Sequence, residues 1–209
     1  LGKALEKARR KQDKNVFDQE DFYISSDLHL GHQLVSELRG FATTTEHDDA
    51  ILRQLWDLPS GSTFICLGDI SVHEDAYALE KLTEVKAARD LTLILTPGNH
   101  DQVHPKFQPA VQMEWMSRYQ EVFDLISLNL QIRRKKEAYL FNHYPALMNR
   151  TASKNAVRWA PHANRWTGII HGHTHSPVAL MPGHVNVAPE AHDLRIIHSS
   201  KLWDLLDQV

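Results

Sequence analysis

Residues 169–177 read IIHGHTHSP, three histidines and a glycine directly behind a pair of isoleucines. Interrupted imidazoles inside a chain are not an expression tag, which leaves a polar surface loop or a metal site. Other segments carry donors of the same kind. Asp27 and His29 stand in SSDLHLGH, Asp69 in LGDI, Asn99, His100 and Asp101 in PGNHD, and His143 in FNHYP. Each segment alone is weak evidence, because an acid at a strand end is commonly a helix cap or turn former. As a set, carboxylates and imidazoles without thiolate suit Mn, Fe, Zn or Ni better than Ca or Mg, and they outnumber what one ion needs. The chemistry to expect is that of two divalent ions, provided the fold brings these residues together.

The elements that must do so follow from periodicity. DFYISS, STFICLG and LTLIL read as strands; between them EHDDAILRQLWDL, apolar at Ile51, Leu52, Leu55 and Leu58, and EDAYALEKLTEVKAA read as helices. This β-α-β-α-β order implies a parallel sheet. A helix over QPAVQMEWMSRYQ follows, then VFDLISLNLQI, AYLFNHY, GIIHGH, VNVA and LRII as strands and SKLWDLLDQ as a closing helix. The fold class is therefore α/β, with two packed mixed β-sheets flanked by helices rather than a doubly wound sheet. RRKK at 133–136 falls between two alternating stretches and reads as a hairpin turn.

Each of the first three strands ends in a polar group, and the C-terminal edge of a parallel sheet is where such folds build their sites. One residue separates Asp27 from His29 and His173 from His175, so in extended segments each pair would share a face. The glycines before Asp69 and Asn99 permit close approach of backbone or ion. Burying Asp27 and Asp69 unpaired at that edge would cost several kcal/mol per group, a conflict that bound cations resolve.

Composition bounds the rest. With 209 residues and 42% apolar content the chain can bury one sizeable core, so a single domain is expected over residues 21–209. Residues 1–20 read as a basic extension, with six Lys or Arg among the first fourteen against Glu6 and Asp13, the pattern of a solvated terminal helix. A net charge of -3 gives no reason to expect duplex nucleic acid as a tight partner. Cys66, the lone cysteine, is expected as a buried core thiol. No apolar run approaches the roughly 18 residues of a membrane span and no secretory pattern opens the chain, so a cytoplasmic protein without a membrane partner is expected.

Taken in order, the motifs D-x-H, GD, GNHD, a lone His and GHxH are Asp27-Leu28-His29, Gly68-Asp69, Gly98-Asn99-His100-Asp101, His143 and Gly172-His173-Thr174-His175. This set resembles that of the calcineurin-like metallophosphoesterases, in particular the small single-domain phosphoesterases of bacteria and bacteriophages. The resemblance implies a four-layer α/β/β/α sandwich. It also implies hydrolysis of phosphoesters by a hydroxide bridging two divalent ions, Mn2+ first among them, with Fe, Zn or Ni as alternatives. One ion would take Asp27, His29, Asp69 and His175, the other Asp69, Asn99, His143 and His173, with Asp69 shared. His100 would stand outside the ligands and stabilise the transition state or protonate the leaving alkoxide.

One departure matters. Phosphoprotein phosphatases of this superfamily extend GD to GDxxDRG, whereas this chain reads GDISVHE, with Val72 in place of the Asp that orients the histidine. A protein phosphatase is thereby disfavoured, and Asp101 or Glu74 becomes the candidate orienter of His100. His32 and His171 are expected as structural or supporting residues. Arg150, Lys154, Arg158 and Arg165 lie between NHYP and HGHTH, where guanidinium groups could clamp phosphate, and Trp159 and Trp166 could stack on a base. Without a long insertion between motifs, an open site suits small phosphodiesters and nucleotide substrates, cyclic nucleotides included. A nuclease acting on single-stranded or terminal nucleic acid and a phosphomonoesterase are the alternatives; a non-enzymatic scaffold is disfavoured because every expected ligand position is filled.

Overall fold

The computed structural model of the chain describes residues 21–146 and 158–208. The basic extension over 1–20 and the loop positions Arg150 and Lys154 lie outside the described residues. Four strands, β1 (Tyr23–Ser25), β2 (Thr63–Cys66), β3 (Thr92–Leu95) and β4 (Leu125–Ile126), run parallel to one another. A late strand, Ile197–His198, pairs antiparallel with β1 and completes a sheet of five. The second sheet starts with the antiparallel hairpin of β5 (Leu130–Arg134) and β6 (Glu137–Phe141). It continues through β7 (Gly168–His171), β8 (Leu180–Met181) and β9 (His184–Asn186) in the spatial order β5-β6-β7-β9-β8, and the Ile197–His198 strand of the first sheet is β10.

Alternation along the strands decides what lies on each side. Phe64 and Cys66 of β2 and Leu93 and Leu95 of β3 are buried against Ile51 and Leu55 of α2 (Thr44–Trp56) and Leu82 and Val85 of α3 (Asp75–Arg89); α1 is the short helix Gln33–Leu38. The intervening residues Ile65, Leu67 and Ile94 face the other way, onto Ile132, Phe141, Ile170 and Val185 of the second sheet. α4 (Pro109–Val122) adds Tyr119 and Val122 to the helical side, and α5 (Ser199–Leu206) buries Leu202, Trp203 and Leu206 in the inter-sheet cluster. Two mixed five-stranded sheets packed face to face and flanked by helices are therefore the architecture. Cys66 is a buried free thiol, and no helix among the described residues is long and apolar enough to cross a membrane.

The elements depart from the periodicity reading in one informative place. VFDLISLNLQI is not one strand; it is β4 in the first sheet and β5 in the second. The polar residues between them make the crossing: the Ser127 hydroxyl donates to the Asn129 carbonyl, and the Asn142 amide donates to the Leu128 carbonyl and to the Asn129 side chain, at 2.9 to 3.0 Å. Alternation continues through the crossing, so the period hides the change of sheet. RRKK does turn a hairpin, with Arg133 and Arg134 still in β5 and Lys135 and Lys136 at φ 50° and 71°.

Candidate metal centre

Every sequence-identified ligand lies just beyond the C-terminal end of a strand. Asp27 and His29 follow β1, Asp69 follows β2, Asn99 and His100 follow β3, His143 follows β6, and His173 and His175 follow β7. The segments are not extended. Asp27, His29, Asp69, His173 and His175 all have left-handed backbone, with φ of 50°, 49°, 54°, 66° and 48°. The shared-face reading is thus corrected: Asp27 and His29 do meet, but through a turn, and His173 and His175 separate into different groups. Left-handed backbone costs an L-residue roughly 1–2 kcal/mol, and such outliers persist only where surrounding bonds over-determine them.

Those bonds are present. The Asp27, His29 and Leu30 amides donate to the carbonyls of Gly68, Asp69 and Ile70 at 2.8 to 3.1 Å, locking the loops after β1 and β2 together. Asp101 does the same for the loops after β2 and β3: its carboxylate accepts the N–H groups of Asp69, Ile70 and Gly98 at 2.7 to 3.0 Å. It is therefore a staple between loops and not the orienter of His100. No side chain among the described residues, Glu74 included, is seen to hydrogen-bond the His100 ring. Close approach also explains Gly172, where an added Cβ would collide with Ser26 Oγ and Asp27 Oδ2.

The side chains collect into two groups, Asp27 with His29 and His175, and Asp69 with His143 and His173, each with its donor atoms within 4.8 Å of one another. In the first, His175 Nε2 lies 3.1 Å from His29 Nε2 and 3.5 Å from Asp27 Oδ1. In the second, His143 Nε2 lies 3.1 Å from Asn99 Oδ1, 3.1 Å from His173 Nδ1 and 3.4 Å from Asp69 Oδ2. Asn99 thus joins the second group as a neutral oxygen donor. Asp69 sits in the second group, and its other oxygen accepts the His100 N–H at 2.8 Å.

Whether these residues fit divalent ions can be read from their protons. The His143 Nδ1–H donates to the Leu67 carbonyl at 2.7 Å, so in the neutral ring Nε2 carries a bare lone pair. That lone pair faces an amide oxygen and a carboxylate oxygen, acceptors that repel it unless a cation lies between them. Asp27 Oδ1 is buried without a hydrogen-bond partner. Burial, and behind it the Asp27 charge, pushes Asp69 well above the carboxylate range; for Asp27 the burial penalty is outweighed by His29 and the other imidazoles, which hold it below that range. Two carboxylates in such conflict, each grouped with two imidazoles, match the donor set of a dinuclear centre.

Burial, first among the causes in each case, lowers His100, His104, His171 and His173 to about 4. The unfolded value is about 6.5. Between about 4 and 6.5 these side chains bind more protons in the unfolded chain than in the folded one, so they make stability decrease as pH is lowered through that window. His175, raised by its hydrogen bond to Glu190, opposes this, as do Asp69 and Asp101, whose carboxyls burial pushes up, the latter to about 7. Chelator-treated protein should therefore melt about 5 °C or more lower at pH 5 than at pH 7. A flat melting profile over that range would show that these imidazoles do not outweigh the buried carboxyls that oppose them.

The remaining candidates divide. His32 caps α1, its Nδ1 accepting the Val35 N–H at 3.1 Å, and His171 is buried with Nδ1–H on the Gly172 carbonyl. A row of rings leads away from the second group: Tyr144 lies 4.6 Å from His173, His104 lies 6.0 Å from Tyr144, and Trp159 lies 5.1 Å from His104. Arg158 stacks on Trp159 at 5.0 Å and so stands at the far end of that row. Arg165 is exposed on a 3₁₀ turn with no hydrogen bond to either group among the described residues, and Trp166 packs on the outer cluster of Leu140, Ala146 and Ile169. Sequence reasoning missed Arg39, Glu190 and Tyr144, none of which carries a local signal.

Comparison with known proteins agrees with this fold. The Calcineurin-like phosphoesterase superfamily domain matches residues 21–189. The chain is 29% identical over 203 residues to the Gene 66 protein of Mycobacterium phage L5, covering 90% of this chain and 94% of the phage protein. It is 32% identical over 189 residues to the Gene 66 protein of Mycobacterium phage D29, covering 82% and 89%. A protein of unknown function from Aquifex aeolicus has a similar fold, with a TM-score of 0.63 at 23% identity over 88% of this chain and 98% of that one.

Proposed function

The chain belongs to the calcineurin-like phosphoesterase superfamily, and from that premise we propose that it hydrolyses phosphodiesters, small diesters and cyclic nucleotides above all, with two divalent ions. We take Mn2+ as the first candidate. Asp27, His29 and His175 would hold one ion, and Asn99, His143 and His173 the other, with Asp69 shared between them. The observation that carries this reading is the pair of ligand groups, each with its imidazole and carboxylate donor atoms within 4.8 Å of one another, and the buried, unpartnered Asp27 oxygen in the first. Divalent ions, when bound, supply Lewis acidity toward phosphoryl oxygens and lower the pKa of a coordinated water toward neutrality.

The chain's own residues do the rest. Asp27 and Asp69 bring only two negative charges, and Asn99 brings none, so the site keeps net positive charge for an anionic ester. Ligands are buried at the base of the site while Asn99, His100 and His173 are half-buried and the His175 side chain is 36% exposed. A site open to solvent at these residues suits a phosphate that carries a second ester substituent. The Arg39 guanidinium is committed to the frame of the site and presents no phosphate clamp.

A panel of alkyl and nitrophenyl diesters, cyclic nucleotides, monoesters and single-stranded DNA, assayed with added Mn2+, tests the proposal. The expected order places diesters and cyclic nucleotides first in kcat/KM. Faster turnover of monoesters, or of DNA alone, would replace this reading with one of those activities.

A further inference from the structure

The two ligand groups are not equally supported by their surroundings. The His175 Nδ1–H donates to Glu190 Oε1 at 2.8 Å, and the same oxygen accepts from Arg39 Nε at 3.0 Å and Nη2 at 2.9 Å. The Arg39 side chain is 1% exposed. Its remaining donor capacity ends on the turn that carries the other two members of the group: Nη2 donates to the Asp27 carbonyl at 2.7 Å and Nη1 to the Leu28 carbonyl at 3.2 Å. Behind Arg39 stands His47, whose Nε2 accepts from Nη1 at 2.9 Å and whose Nδ1–H donates to Asp48 at 2.8 Å. The second Asp48 oxygen accepts the Gly31 N–H at 2.9 Å, on the same loop.

Each proton in this chain of bonds has one place to be. Arg39 can only donate, so His47 carries its proton on Nδ1; the Glu190 carboxylate can only accept, so His175 carries a proton on Nδ1, which makes Nε2 the lone-pair nitrogen of the neutral ring. We propose that Arg39 and Glu190 are positioning residues for the first ligand group: Glu190 fixes the direction and tautomer of His175, and Arg39 ties that carboxylate to the left-handed turn bearing Asp27 and His29. An ordinary structural ion pair would not need to place one carboxylate oxygen on both the imidazole and the guanidinium. The residues matched by the family end one position before Glu190, so the assignment comes from this chain's own contacts. It rests on the reading of the two groups as metal-holding.

The test is a titration of the chelator-treated full chain with MnCl2, counting bound ions by electron paramagnetic resonance and recording the bound spectrum. The wild type is expected to bind two ions and to show the spectrum of a coupled pair. Glu190→Ala should bind one ion with wild-type affinity and the other 10- to 100-fold more weakly, the usual scale for losing a ligand's hydrogen-bond partner. Its spectrum should become that of an isolated ion. Glu190→Gln should fall between the two, because its amide oxygen still accepts from His175. Two ions bound to Glu190→Ala with wild-type affinity, or both weakened equally, overturn the proposal. Should Glu190→Ala fail to melt cooperatively, Glu190→Gln decides, and wild-type affinity for both ions in that variant rejects it. A wild-type chain that binds no Mn2+ overturns instead the metal reading on which the proposal rests.

Discussion

Asp69→Ala should empty both ligand groups and lower kcat/KM on the order of 10³-fold or more, the rate equivalent of the several kcal/mol that a bound divalent ion contributes to charge stabilisation. Asp69 is 2% exposed, with one oxygen on the His100 amide and the other 3.4 Å from His143 Nε2. A carboxylate shared between two ions makes its removal felt by both, whereas His143→Ala or His175→Ala should weaken mainly one. Elemental analysis after desalting gives the ion count, and kcat/KM on a diester gives the rate. Loss of one ion only would confine Asp69 to the second group. Full occupancy of both would remove it from the ligands.

His100→Ala should keep both ions and lose about 10²-fold in kcat/KM. The ring is half-buried, 5.9 Å from the His29 ring, and its backbone is fixed by Asp69. Burial first, and then His29, Lys106 and His143, hold its pKa at about 4. At neutral pH that imidazole is uncharged, and no carboxylate among the described residues is seen to restore its proton. It can still donate an N–H hydrogen bond to negative charge that grows in the transition state. The loss is therefore expected to be similar for nitrophenyl and alkyl diesters. A loss that rises steeply with the basicity of the leaving oxygen would show instead that His100 delivers a proton to it.

Much of the site was legible because its signals are local. Residue type names the donors, glycines mark the close approaches, and the order of strands and helices sends each donor to the same sheet edge. What stayed hidden is of three kinds. The sign of φ leaves no period in a sequence, so Asp27 and His29 read as extended. The crossing from β4 to β5 keeps its alternation, so one run reads as one strand. Bonds between distant residues leave no trace: Arg39 and Glu190 are 151 positions apart, and Asp101, next to His100, points its carboxylate into the loops instead. Arg165, placed near the metals by sequence proximity, is exposed on its own turn.

The left-handed backbone at five of the seven proposed ligands, Asp27, His29, Asp69, His173 and His175, also narrows how a lineage could lose its chemistry and keep its fold. Aspartate and histidine each become asparagine through one base change, and asparagine is, like them, enriched in that backbone region. Most other replacements add a backbone penalty of about 1–2 kcal/mol to the loss of the donor, a large share of the stability of a marginal domain. Descendants that survive as folded but inactive proteins should therefore carry asparagine or glycine at these five positions. At Asn99 and His143, which lack positive φ, inactivating replacements are free of that filter, and drift there should draw on a wider alphabet.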